Sequence, residues 1–229
     1  MMPVISRDAA GLVAATRITK HPTKPAPQVF IHHGASPTPA ATVKAESAVW
    51  KSYQRYHMQT RGWTDIAYNF GVGQSGNSYV GRGWSRQGGA TGSPQDRTSI
   101  SICAIGNMSV DAPSDEMVAE IVHLIKWGID EGHLVGAEDL EILGHRDKPY
   151  STSCPGDKLY GLLSKIQRRV IKSYQVPAPA PEPAPSPGTP PPPPISDAAA
   201  VKALTGGIRT RIDEIETYLD AIDKAADDG

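Results

Sequence analysis

Cysteine and phenylalanine are scarce in this 229-residue chain, with two of each. Two cysteines exclude a disulfide-stapled scaffold, so a packed core has to hold the fold. Cys103 lies in Ser99-Ile100-Ser101-Ile102-Cys103-Ala104-Ile105, a strand-like alternation in which an inward thiol acts as a small hydrophobe. Cys154 is then left as a free thiol, which fits a metal ligand and a reducing compartment. An excess of one charge is missing too: 23 Lys and Arg stand against 24 Asp and Glu, a formal net of −1. That balance excludes a protein built around a polyanion, and nucleic acid is not expected as a partner. No apolar run approaches the roughly 20 residues of a membrane-spanning helix, so no transmembrane segment is expected. Residues 1–20 also lack the apolar stretch of a signal peptide, because Arg7 and Asp8 interrupt it. The expectation is synthesis in the cytoplasm without a signal peptide.

What the chain has in excess is proline, 21 in all, and most of it sits between Pro177 and Pro194. Such a run forms neither a helix nor a central strand and takes an extended polyproline II path. It divides the sequence into a globular domain over 1–175, a Pro-rich linker over 176–195 and a tail over 196–229. In the tail, Val201, Leu204, Ile208, Ile212, Ile215, Leu219 and Ile222 recur every three or four residues. That spacing predicts a short C-terminal amphipathic helix. One such helix cannot bury its stripe alone, so self-association or contact with the main domain, a wall or a membrane surface is expected through it.

Within the globular domain, strands are predicted at 28–33, 66–72, 78–82, 98–105 and 141–144, each rich in β-branched or aromatic residues. Gln74-Ser75-Gly76-Asn77 reads as a hairpin turn between the second and third. Helices are predicted at 43–60, at 114–131 with Ser114 as its cap, and at 157–173. Strands and helices interleave, which predicts an α/β domain with a mixed central β-sheet flanked by helices.

Three places concentrate metal-binding side chains. Val29-Phe30-Ile31-His32-His33 ends an apolar strand in two imidazoles, and Gly144-His145-Arg146-Asp147 and Ser153-Cys154-Pro155-Gly156 add a third imidazole and a thiol. Alternation along the strand sends His32 and His33 to opposite faces, so only one of the pair faces a given metal. Two histidines and one cysteine leave a fourth coordination position open, the pattern of a catalytic rather than a structural zinc site.

These motifs occur in one order with Tyr56-His57-Met58, Gly62-Trp63, Asp65 to Phe70, Tyr79 to Trp84 and Ile105-Gly106-Asn107. In that order the chain resembles the type 2 N-acetylmuramoyl-L-alanine amidases, which include peptidoglycan recognition proteins and the amidases of phage lysins. The resemblance covers about 4–170. It implies a Zn2+ enzyme that hydrolyses the lactyl–L-Ala amide of bacterial peptidoglycan. His32, His145 and Cys154 match the metal ligands, and Tyr68 matches the catalytic tyrosine. Thr152 stands where relatives carry lysine or threonine and is given a supporting catalytic role. Arg82, Trp84 and His33 are expected to contact substrate, whereas His57 and Trp63 are read as packing residues. One departure stands out: relatives carry Gly-Ala-His after Arg82-Gly83-Trp84, and here Gly88-Gly89-Ala90-Thr91 occupies the place. The reading is a wall-degrading endolysin of a phage or prophage, the alternative a non-catalytic peptidoglycan-binding protein. Binding-only relatives typically lack the thiolate, so Cys154 favours the enzyme.

Overall fold

A computed structural model describes residues 4–148 and 151–175. The predicted C-terminal helix, the Pro-rich linker and the expected self-association lie outside the described residues. The elements run β1 (Gln28–His33), α1 (Val43–Arg55), β2 (Phe70–Val72), β3 (Ser78–Val80), β4 (Ser99–Ala104), α2 (Asp115–Asp130), β5 (Glu141–Gly144), α3 (Asp157–Tyr160) and α4 (Leu163–Gln175). The five strands form one mixed sheet in the order β3-β2-β4-β1-β5. β1 pairs in parallel with β4 and β5, β2 pairs in parallel with β4, and β3 alone runs antiparallel to its neighbour β2.

Alternation along the central strands separates two cores. Val29, Ile31, Ile100, Ile102 and Ala104 face one side, where Ile121 and Ile125 of α2 and Ile166 and Val170 of α4 cover them. Cys103 and Ile105 face the other side with Trp50 and Tyr53 of α1, Ile66, Tyr79 and the N-terminal residues Ala10 and Leu12. Both helix starts are capped as their sequences suggest. Ser114 accepts from the Met117 N–H at 3.0 Å, and Thr42 accepts from the Ala45 N–H at 3.3 Å, each satisfying an otherwise orphaned donor.

Three predicted elements differ in extent. The 43–60 helix widens into a π-helical turn over Tyr56–Thr60. The 157–173 helix is broken into α3 and α4 around Gly161, a residue that weakens helix interiors. The 66–72 strand pairs only from Phe70, because upstream backbone groups bond the 81–89 loop instead. Tyr68 O accepts from the Arg82 N–H and Ala67 O accepts from the Gly89 N–H, and the Asn69 side-chain amide donates to Gly83 O and Arg86 O.

The outer strands are both covered. Ile5 forms a bridge to Tyr79 along β3, donating its N–H to Ser78 O and accepting from the Val80 N–H. Beside β5, the Gln167 amide accepts from the Ile142 N–H and donates to Leu140 O. Both cysteines are free thiols. Among the described residues no helix is long and apolar enough to cross a membrane.

Candidate functional site

The parallel strands carry their chemistry at their C-terminal ends, where α/β sheets commonly bind ligands. β1 ends in His32 and His33, while β5 ends in Gly144 and passes directly into the short helical turn His145–Asp147. The Cys154 loop folds back onto that turn. Cys154 O accepts from the Arg146 N–H at 2.9 Å, and the Arg146 guanidinium donates to Ser153 O and to Asp157 at 2.6 Å. Gly156 has φ 87°, and a Cβ there would lie 2.4 Å from the Met108 carbonyl carbon. Glycine in the Cys-Pro-Gly turn is therefore a condition for seating Cys154 where it is.

The result is a cluster of His32, His145 and Cys154 whose ligand atoms all lie within 4.8 Å of one another. His32 Nδ1 is 3.6 Å from Cys154 Sγ, and the His32 and His145 rings meet edge-on at 4.8 Å. Burial pushes the His32 pKa well down, with His145 and His33 adding to the shift, and the His145 and His33 pKa values also fall, mainly through burial. Both cluster imidazoles thus sit as neutral donors. Burial lifts the Cys154 thiol to about 11, against the opposing pull of the His33 backbone N–H and Arg146. Two neutral imidazoles and a thiol pressed together in this way suit a borderline-soft divalent cation, whose charge would compensate a thiolate.

Around the cluster lies a cleft of about 290 Å³. A larger hollow of about 410 Å³ between β5 and α4 contains Asp147, Tyr160 and Gln167 but none of the cluster. Tyr68 is half-buried on the cleft wall, its ring 5.5 Å from His32. Trp50 stacks behind it at 6.0 Å, and Tyr53 and His57 meet it edge-on at 6.5 and 5.7 Å. Burial raises the Tyr68 pKa well above that of a free phenol, with Cys103 the next cause. Its hydroxyl is therefore a hydrogen-bond donor at neutral pH. Thr152 lines the same cleft and its hydroxyl accepts the Cys154 N–H at 3.1 Å. His33 also reaches the wall, anchored where Nδ1 accepts the Met108 N–H at 3.1 Å.

Two expected substrate residues are not brought to the cleft. Arg82 turns inward, its guanidinium donating to Ile66 O at 2.6 Å and Gln87 O at 2.8 Å. Trp84 is a core plug: it stacks on His133 at 5.1 Å and packs against Phe70 and Trp127 at 4.5 and 5.5 Å. His57 and Trp63, read from sequence as packing residues, do stack on each other at 4.9 Å, yet both also line the cleft. Ala90 lies on the wall as well. Two further residues escaped the sequence reading altogether. The Thr91 hydroxyl lies 3.2 Å from His32 Nε2, and the buried Asp96 carboxylate accepts the Thr91 N–H at 3.0 Å. Their only local signal is their place in the glycine-rich loop that begins at Gly88-Gly89-Ala90.

Residues 22–157 match the family model described as N-acetylmuramoyl-L-alanine amidase. Peptidoglycan recognition protein 1 of Rattus norvegicus is 36% identical over 140 residues, 61% of this chain and 74% of that protein. An N-acetylmuramoyl-L-alanine amidase of Sus scrofa is 35% identical over 137 residues, 59% of this chain but 22% of that protein. Among solved structures, the ectodomain complex of peptidoglycan recognition proteins LCa and LCx bound to tracheal cytotoxin superimposes with a TM-score of 0.67 at 29% identity. That match covers 72% of this chain and 96% of the other. The comparison corrects one expectation from the sequence. The solved relative is an ectodomain, which stands against the cytoplasmic, signal-peptide-free origin expected from the sequence. The charges at Arg7 and Asp8, which suggested that origin, belong to folded structure: Arg7 makes a bidentate ion pair with buried Asp65 at 3.0 Å.

Proposed function

Because this chain belongs to the N-acetylmuramoyl-L-alanine amidase family, we propose that it is a zinc-dependent hydrolase of the lactyl–L-Ala amide of bacterial peptidoglycan. The observation that carries the reading is the complete donor set, with Cys154 Sγ 3.6 Å from His32 Nδ1 and His145 beside both. His32, His145 and Cys154 are the residues that would hold zinc. Bound there, zinc supplies Lewis acidity for the amide carbonyl and acidifies water, from a pKa of ~15.7 toward ~7.

The remaining tasks fall to the chain itself. Burial keeps His32 and His145 unprotonated, so their lone pairs are free to bind. The His33 N–H and Arg146 favour the thiolate of Cys154. Tyr68, held protonated in its aromatic cage, donates a hydrogen bond to the negative charge that develops on the carbonyl oxygen. Thr152 holds the Cys154 loop through the backbone N–H it accepts. The exposed face of Trp63, with His57 behind it, offers a stacking surface for substrate at the cleft wall. The finer reading, an endolysin of a phage or prophage, draws its support from the Pro-rich run that follows the amidase domain in sequence, a modular arrangement suited to wall lysis.

The test is release of soluble stem peptide from purified peptidoglycan by the wild type and by Cys154→Ser, with zinc content measured on both. The expected result is peptide bearing a free L-Ala amine, lost together with the metal in the variant. Tight binding of peptidoglycan with zinc present and no release overturns the enzyme and leaves a recognition protein. The names of several relatives and the alanine at position 90 make that the informative alternative.

A further inference from the structure

Both ring nitrogens of His32 are committed, and only one of them to the cluster. Nδ1 faces Cys154 Sγ at 3.6 Å, and Nε2 lies 3.2 Å from the Thr91 hydroxyl. A neutral imidazole carries one hydrogen, and which nitrogen bears it depends on the partner offered to each. With the hydrogen on Nδ1, the ring would direct an N–H at the sulfur and have no lone pair for a metal there. With it on Nε2, the lone pair of Nδ1 is free. Thr91 is well placed to decide between them, because its own position is fixed on two further sides. Its backbone N–H donates to Asp96 at 3.0 Å, and the Asp96 N–H closes back onto Gly92 O at 3.1 Å. Its hydroxyl also lies 3.4 Å from Ser101 Oγ on β4, and Thr91 and Ser101 are 1% and 0% exposed. Both side chains are closed off from bulk solvent, so the hydroxyl has these two neighbours and two roles to fill.

We propose that Thr91 is a positioning residue for the cluster: its hydroxyl accepts the Nε2–H of His32, passes its own hydrogen to Ser101, and so holds the imidazole in the tautomer that presents Nδ1 to Cys154 and His145. The consequence for metal affinity rests on the zinc reading above, whereas the tautomer itself does not. Outer partners of metal-binding histidines typically contribute 10- to 100-fold in affinity. Here that contribution comes from a neutral hydroxyl rather than a carboxylate or carbonyl. The side chain lies 59 residues from its histidine in sequence.

The experiment compares the full chain with Thr91→Val, which keeps the shape and removes the acceptor, and Thr91→Ser, which restores it. In the metal-free proteins, long-range proton–nitrogen NMR reads the His32 tautomer, its signals assigned by their loss in His32→Gln. Zinc affinity is then measured by competition with a chromophoric chelator. The expected result is an Nε2–H ring in the wild type and the serine variant, and appearance of the Nδ1–H form in the valine variant. Zinc binding should weaken about 10- to 100-fold in Thr91→Val and recover in Thr91→Ser. An unchanged tautomer in Thr91→Val overturns the proposal. A wild type that binds no zinc overturns the zinc reading, and the NMR result still decides the role of Thr91. Should Thr91→Val fail to fold by circular dichroism, Thr91→Ala carries the same two measurements.

Discussion

On one face of the sheet Val29, Ile31, Ile100 and Ile102 pack against α2 and α4 in a largely aliphatic layer. On the other, Cys103 and Ile105 share their space with Trp50, Tyr53 and Tyr79, and the neighbouring buried groups include Glu46, Gln54 and Asp65. The first layer holds by non-directional contact and close packing of apolar side chains. The second is held by directed bonds. Glu46 accepts from the Tyr79 hydroxyl at 2.7 Å and the Ser75 N–H at 2.9 Å. Tyr53 accepts the Gly106 N–H at 3.2 Å, and its hydroxyl meets that of Ser36 at 2.6 Å. Those last two contacts tie together the loops that follow β1 and β4, and the same ring flanks Tyr68. Stability is concentrated in one layer and positional accuracy in the other.

The division can be broken most sharply in the aliphatic layer. Ile121→Ala should cost about 2–5 kcal/mol in chemical denaturation, with amidase activity per folded molecule unchanged. A fall in that specific activity would show that the layers are not separable. Next in size is Tyr68→Phe, expected to lower stem-peptide release by about 10²–10³-fold while leaving the melting temperature within a degree or two of wild type. A large loss of stability instead would make Tyr68 a structural residue.

A third test uses pH. Burial, assisted by Arg82 and Arg61, lowers the His57 pKa from 6.5 to about 4. Between those values the unfolded chain takes up a proton that the folded chain refuses, so His57 has no effect on stability above about pH 6.5 and destabilises the fold increasingly as the pH falls toward 4. His57→Gln should flatten the stability curve in that window by about one proton, on the order of 2 kcal/mol. A curve as steep as that of the wild type would remove His57 from the account. The smallest effect is expected from Thr42→Ala at the start of α1, about 1 kcal/mol by thermal melting, with no change in activity once folded.

The contrast between the layers also explains what was legible in the sequence. Period-two alternation marked β1 and β4, and the capping residue Ser114 marked the start of α2, because those signals are local. The cluster of His32, His145 and Cys154 was legible because each donor lies in a recognisable motif. Arg82 and Trp84 were misplaced because a charged or aromatic residue in a turn carries no mark of the direction it faces. Arg82 is drawn inward by two backbone carbonyls, and Trp84 by Phe70, Trp127 and His133. Thr91 and Asp96 were invisible for a related reason: their partners are fixed by the path of a glycine-rich loop.

The coverage of the outer strands has a consequence for how this molecule behaves in a crowded solution. A bare strand edge is a template on which a second chain adds itself by backbone pairing, the first step toward fibrous aggregates. Here the Ile5 backbone occupies β3 from outside, and a single glutamine amide occupies the Ile142 N–H and the Leu140 carbonyl beside β5. The first is a length of main chain; the second is one side chain, removable by one substitution. Protection against recruitment is therefore unequal at the two ends of the sheet, and Gln167 guards the more vulnerable one.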